Sequence, residues 1–159
     1  MCFFDLAGYT RLTEEHGDQA AAETARTLNT LVQRNAHEYR GRVVKWLGDG
    51  VMLYFAEPAG ALEGSVEMVE RVREAGLPSA HVGVDAGPVI IQDGDYFGGT
   101  VNVAARIASY ARAGEVLASD QAVAAAGALP SGLRVEEIGP VELKGVSRLL
   151  VLKRVGREG

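Results

Sequence analysis

Two aspartates each end an apolar run close to a glycine: Asp5 in Phe3-Phe4-Asp5-Leu6-Ala7-Gly8, and Asp49 in Leu47-Gly48-Asp49-Gly50. If those strand ends are neighbours, the two carboxylates can hold two divalent cations about 3.5–4 Å apart, a pairing that activates an attacking oxygen and stabilises a leaving one in phosphoryl chemistry. Lys45 and Asp95 supply a donor and an acceptor. Adenine presents the complement on its Watson–Crick edge, with N1 accepting and the 6-amino group donating. Guanine inverts this and would set its O6 against the aspartate. Asn102 and Arg106 are four residues apart and share one face of a helix near its start. They can bind a sugar oxygen and a transition-state phosphate. Each charge alone has an ordinary reading. Aspartate is common in Gly-Asp-Gly turns and just before helices, so the positions carry weight only together.

The elements that must place these residues can be read in order. Met1 to Leu6 is an apolar strand ending on Asp5. Ala7-Gly8-Tyr9 turns into a short helix reaching about His16, whose first amides form an anion site by geometry and dipole. Asp18 to about Arg40 is a longer helix, with Ala21, Ala25, Leu28, Val32, Ala36 and Tyr39 in one stripe and Gly41 as its left-handed stop. Arg42 to Phe55 is a hairpin turned at Gly48-Asp49-Gly50. Alternation predicts Val44 and Trp46 on one face and Val43, Lys45 and Leu47 on the other. A helix over 59–75 follows. Ala80 to Asp85 and Val89 to Ile91 read as a second hairpin, and 93–100 as a loop rich in turn residues. A helix over 100–111, a strand at 116–118 and a helix over 120–126 come next. Runs at 133–135, 141–143 and 149–152 read as late edge strands. The order predicts an α+β domain with a ferredoxin-like βαββαβ core, in which helices cover one face of a mostly antiparallel sheet.

Composition narrows the function classes. The 159 residues suit a single domain, and the net charge of −5 offers no footprint for nucleic acid. The lone Cys2 excludes an intramolecular disulfide and a CxxC metal site. No apolar run approaches the ~20 residues of a membrane helix, and no stretch reads as a signal peptide. Neither GxGxxG, a P-loop nor GxSxG occurs. His16, His37 and His81 have no recognisable nucleophile beside them and read as structural or surface residues. The chain begins directly in an apolar strand, which predicts a cytoplasmic domain cut from a longer protein whose regulatory or membrane segments lie elsewhere.

Phe4-Asp5-Leu6-Ala7-Gly8-Tyr9-Thr10, Lys45-Trp46-Leu47-Gly48-Asp49-Gly50 and the run Asp95 to Arg106 (DYFGGTVNVAAR) together resemble the signatures of the class III nucleotidyl cyclase catalytic domain, bacterial adenylyl cyclases most of all. The resemblance spans nearly the whole chain and keeps the order and internal spacing of three motifs. It implies conversion of ATP to 3′,5′-cyclic AMP and pyrophosphate. Asp5 and Asp49, with the Leu6 carbonyl, would hold two Mg²⁺ or Mn²⁺ ions. Lys45 and Asp95 would specify adenine, Asn102 would orient the ribose, and Arg106 would stabilise the pentavalent phosphorus. It further implies a head-to-tail homodimer in which one chain brings the metals and the other brings Lys45, Asp95, Asn102 and Arg106. The chain departs from some relatives at Val89-Ile90-Ile91, where they carry a basic residue. The β- and γ-phosphates would then rely on the metals, the amides of Ala7, Gly8 and Tyr9, and Lys144 in Leu143-Lys144-Gly145. The competing reading, a nucleotide-binding module without turnover, is disfavoured because neither the metal aspartates nor the arginine is missing.

Overall fold

A computed structural model describes residues 1–159. The chain runs β1 (Cys2–Leu6), α1 (Tyr9–Glu38), β2 (Gly41–Leu47), β3 (Gly50–Phe55), α2 (Pro58–Glu74), β4 (Ala80–Val84), β5 (Ile90–Gln92), β6 (Asp95–Phe97), α3 (Gly99–Tyr110), β7 (Val116–Ser119), α4 (Asp120–Ala126), β8 (Leu133–Val141) and β9 (Leu150–Arg157). Seven strands form one sheet in the order β2-β3-β1-β4-β7-β9-β8, and β5 and β6 form a separate pair. Only β4 and β7 run parallel in the large sheet. The first four strands with α1 and α2 make the expected ferredoxin-like core. No helix is long and apolar enough to cross a membrane.

Helices cover both faces of the sheet, not one. Cys2, Phe4 and Leu6 of β1 join a large apolar cluster with residues of α1, α2 and α4, whereas Phe3 joins a second cluster with Ala104 and Ala108 of α3. This explains the continuous apolar run of β1. A strand buried on both faces has no polar side to alternate with. The approach of α3 is unusually close because of Gly83. A Cβ there would come within 2.1 Å of the Ala108 amide nitrogen and 2.5 Å of the Ala104 carbonyl.

The two expected N-terminal helices are present within α1 and meet at Gly17, whose φ of 82° and ψ of 175° break the helical path between them. Other local expectations are corrected. The left-handed residue after α1 is Arg40, with φ 59°. Gly41 is instead required by packing, since its Cβ would lie 2.7 Å from the Phe55 ring. Ile90 and Ile91 do not pair with β4. They pair with Phe97 and Tyr96 across a turn at Asp93 and Gly94. Both turn residues have positive φ, 52° and 76°, the geometry of a tight hairpin turn. Of the late strands, β8 lies at the sheet edge but β9 is interior.

The hairpin of β2 and β3 also departs from simple alternation. Val43 pairs with Leu53 and Lys45 with Met52, so Val44 is an extra residue in β2. Such a bulge shifts side-chain direction by one position. Val43 packs with the α1 cluster, while Val44 packs with the α3 cluster to which Met52 belongs. Lys45 is therefore carried to the α3 face, alongside Arg42, and Trp46 to the α1 face.

Candidate active site

Asp5 and Asp49 meet at one end of the sheet. Asp5 pairs with Gly50, the residue after Asp49, and the Leu6 amide donates to the Asp49 carbonyl at 3.1 Å. The Asp5 carboxylate lies directly over Gly50. A Cβ at that glycine would sit 2.0 Å from Asp5 Oδ1 and 2.8 Å from the Phe4 carbonyl. Partial burial pushes the Asp5 carboxyl above the usual range. His81 opposes that shift and the negative charge of Asp49 adds to it. A partly buried carboxylate beside a second, exposed one fits a divalent cation, which would relieve the burial and the repulsion. No three His, Cys, Asp or Glu side chains converge to hold a metal ion, so carbonyl oxygens, water and substrate phosphates would have to complete a metal's shell.

The other charged pair is formed across fifty residues. Lys45 Nζ donates to Asp95 Oδ2 at 3.0 Å. The Tyr96 amide donates to Asp95 Oδ1 at 2.8 Å. With side chains 42% and 32% exposed, the pair contributes little stability. Its importance is positional, since it aims one ammonium and one carboxylate at the same space.

Asn102 and Arg106 lie one turn apart on the exposed side of α3 and border a cavity of about 340 Å³ together with Ser109 and Gly145. The loop carrying Gly145 lies against Arg106, with the glycine's Cβ position 3.5 Å from Nε. Lys144 is adjacent and exposed. The ion pairs of the chain leave Arg106 out.

At the start of α1, Gly8 is left-handed with φ 75°, and no side chain caps the helix. The Gly8 and Tyr9 amides remain open to an anion. The Ala7 amide does not, because it donates to the Ser79 carbonyl at 2.7 Å.

Some contributors were not singled out in the sequence. His81 is the cross-strand partner of Asp5, and its Nδ1 lies 2.7 Å from the Ala108 carbonyl of α3. Arg42, Tyr54 and Tyr96 cluster beside Asp95. Hairpin pairing alone would have set Arg42 against Phe55; the bulge at Val44 brings it to Tyr54 instead.

The adenylate and guanylate cyclase catalytic domain family matches residues 1–154. A Mycobacterium tuberculosis protein named pH-sensitive adenylate cyclase is 34% identical over 99% of this chain and 40% of its own length. A Streptomyces coelicolor protein named adenylate cyclase is 38% identical over 72% of this chain and 30% of its own length. The chain thus spans less than half the length of these curated relatives. Among solved structures, an adenylyl cyclase from P. aeruginosa superposes with a TM-score of 0.83 at 23% identity, covering 99% of this chain and 93% of that one. An adenylate/guanylate cyclase/hydrolase from Silicibacter pomeroyi gives 0.81 at 25% identity, covering 99% and 97%. With a match running from its first residue to Arg154, the chain belongs to the adenylate and guanylate cyclase catalytic domain family.

Proposed function

We propose that two copies of this chain pair head to tail and convert ATP to 3′,5′-cyclic AMP and pyrophosphate at two composite sites. The observation that carries the choice of ATP is the contact between Lys45 and Asp95. It presents a donor beside an acceptor, which matches adenine and mismatches guanine. The names of the curated relatives point the same way. Support for sharing across a dimer comes from separation within the chain. Asp49 borders a cavity with Tyr9 and Trp46, and that cavity shares no residue with the one bordered by Asn102 and Arg106.

In this reading Lys45 donates to adenine N1 and Asp95 accepts from the 6-amino group. Asn102 holds the ribose so that its 3′-oxygen lies in line with the α-phosphorus. Arg106 places its guanidinium where charge grows on the α-phosphate oxygens. The Gly8 and Tyr9 amides face the outer phosphates, and Lys144 adds a positive charge from its loop. Asp5 and Asp49, with the Leu6 carbonyl, would hold two divalent cations, Mg²⁺ or Mn²⁺, which when bound acidify the 3′-hydroxyl and neutralise the triphosphate. The 3′-oxygen forms a bond to the α-phosphorus, and the bond from that phosphorus to the bridging oxygen breaks. The proton passes to water and pyrophosphate leaves. The chain supplies no separate general base, so positioning and charge provide most of the acceleration.

Complementation tests the whole scheme. Asp49→Ala and Arg106→Ala chains should each lose about 100-fold or more of cyclic AMP formation. Mixed together, they should regain one working site per heterodimer. Mixed dimers that stay inactive would rule out the shared site, and a full rate from Asp49→Ala alone would rule out the metal assignment.

A further inference from the structure

The strand that carries Asp95 is not hydrogen-bonded to the main sheet. β6 pairs only with β5, and an isolated two-stranded hairpin is marginally stable. Lys45, by contrast, belongs to the seven-stranded sheet. Side-chain packing must therefore decide where Asp95 stands relative to Lys45.

Three residues provide that packing. Tyr96 is 3% exposed and sits among Phe3, Met52 and Ala104. Its ring centroid lies 5.4 Å from that of Tyr54 on β3, with the planes tilted by 43°. The Arg42 guanidinium on β2 covers both rings, with Cζ 5.4 Å from the Tyr54 centroid and 5.3 Å from the Tyr96 centroid. Arg42 and Tyr54 are direct cross-strand partners, so two parts of the trio stand on the main sheet. The third part reaches Asp95 through the backbone, because the Tyr96 amide holds Asp95 Oδ1.

We propose that Arg42, Tyr54 and Tyr96 form a clamp that sets the base selectivity of the site. They act as positioning residues, by fixing Asp95 against Lys45, and this rests on the adenine-reading role given to that pair above. Asp5 is on β1 and Asp49 in the turn between β2 and β3, joined by strand pairing at Gly50 and by the Leu6 amide, and α3 is held on β4 through Gly83 and the His81 contact. Main-chain hydrogen bonds and close packing, not the clamp side chains, hold both. Loosening it should therefore erode discrimination between ATP and GTP more than turnover.

The test is kcat/KM for ATP and for GTP in Arg42→Ala, Tyr54→Leu and Tyr54→Phe. In the first two the ATP:GTP ratio should fall about fivefold, the equivalent of one cation–π contact, chiefly through a higher KM for ATP. Tyr54→Phe keeps the ring and should keep the ratio. Hydrogen exchange of the Tyr96 amide should quicken in the same two variants, a readout that needs no turnover. Should Tyr54→Leu fail to fold, exposed Arg42 still carries the test. Asp95→Ala separates the two readings. If it shifts the ratio and Arg42→Ala does not, the clamp is wrong. If Asp95→Ala itself leaves the ratio unchanged, the base-reading pair fails, and the clamp's effect on selectivity with it.

Discussion

The two charged corners of this domain are built by different means. At the corner proposed to bind metal, Asp5 and Asp49 are placed by the main-chain ladder. Asp5 pairs with Gly50 on one side and His81 on the other, and the Asp49 carbonyl takes the Leu6 amide. At the corner proposed to read the base, the extra residue Val44 places Arg42 and Lys45 on one face of β2, and Asp95 stands on a hairpin outside the main sheet. Ladder hydrogen bonds fix position strongly, because breaking one in a buried strand leaves unpaired polar groups. Side-chain stacking fixes it weakly, by about 1 kcal/mol per contact. The comparison teaches that catalysis should be robust to mild surface change in this domain, while nucleotide preference should be easily altered.

The sharpest way to break the contrast is Gly50→Ala. Its Cβ would lie 2.0 Å from Asp5 Oδ1 with the Phe4 backbone just behind it, so the carboxylate must move. We expect kcat/KM to fall by about 100-fold or more, as for any displacement of about an ångström at the reacting centre, with the ATP:GTP ratio unchanged. A variant retaining full activity would mean that the Asp5 carboxylate does not hold metal in this pose. Lys45→Ala should produce the opposite pattern. It removes the donor of the Lys45–Asp95 pair and leaves the strand ladder in place. Nucleotide preference should vanish, and ATP turnover should fall by about tenfold or more with the loss of a charged contact to the base. A preserved preference would show that Lys45 does not read the base.

The smallest expected effect lies at the far end of β4, away from both corners. Asp85 is 3% exposed and accepts from Ser119 Oγ at 2.6 Å. Burial raises its carboxyl above the usual range, although Ser119, the Ala86 amide, the Met1 ammonium and Arg148 pull it back. A folded-state value above the unfolded one means that this group favours folding at low pH. That contribution is lost as pH rises through the folded value. Asp85→Asn should therefore raise the melting temperature at neutral pH by about 2–4 °C for each kcal/mol recovered. The gain should disappear near pH 3, below the unfolded carboxyl value of about 3.9. Nucleotide preference should not change. No gain at neutral pH would mean that the hydrogen bonds fully offset burial.

The metal corner was nearly legible in advance. A strand ending on Asp5, a Gly-Asp-Gly turn and a helix opening at Gly8 are local features, and local residue choice dictates them. The amphipathic stripe of α1 and the span of α4 were legible for the same reason. At the other corner the Lys45–Asp95 pair was legible as a donor and an acceptor, but its setting was not. Period-two alternation grouped Lys45 with Val43 and Val44 with Trp46, and the extra residue Val44 separates both pairs, because a bulge depends on how the partner strand aligns and leaves no mark in the residues of β2. The turn at Asp93-Gly94 was visible as turn chemistry, yet Val89-Ile90-Ile91 was assigned to β4 and 93–100 read as loop, because the apolar run does not show which strand it pairs with.

The sequence by itself determined which chemical groups are available, the ferredoxin-like order of elements and the local turns that expose Asp49 and open α1. Tertiary structure alone decided that α3 packs on the face opposite the other helices, that Lys45 shares that face, and that Asp95 reaches it on a detached hairpin. The physical reason is range. Turn and helix preferences act over a few residues, whereas the Lys45–Asp95 contact spans fifty and exists only once Gly83 has let α3 approach β4 and Tyr96 has been buried beneath Arg42.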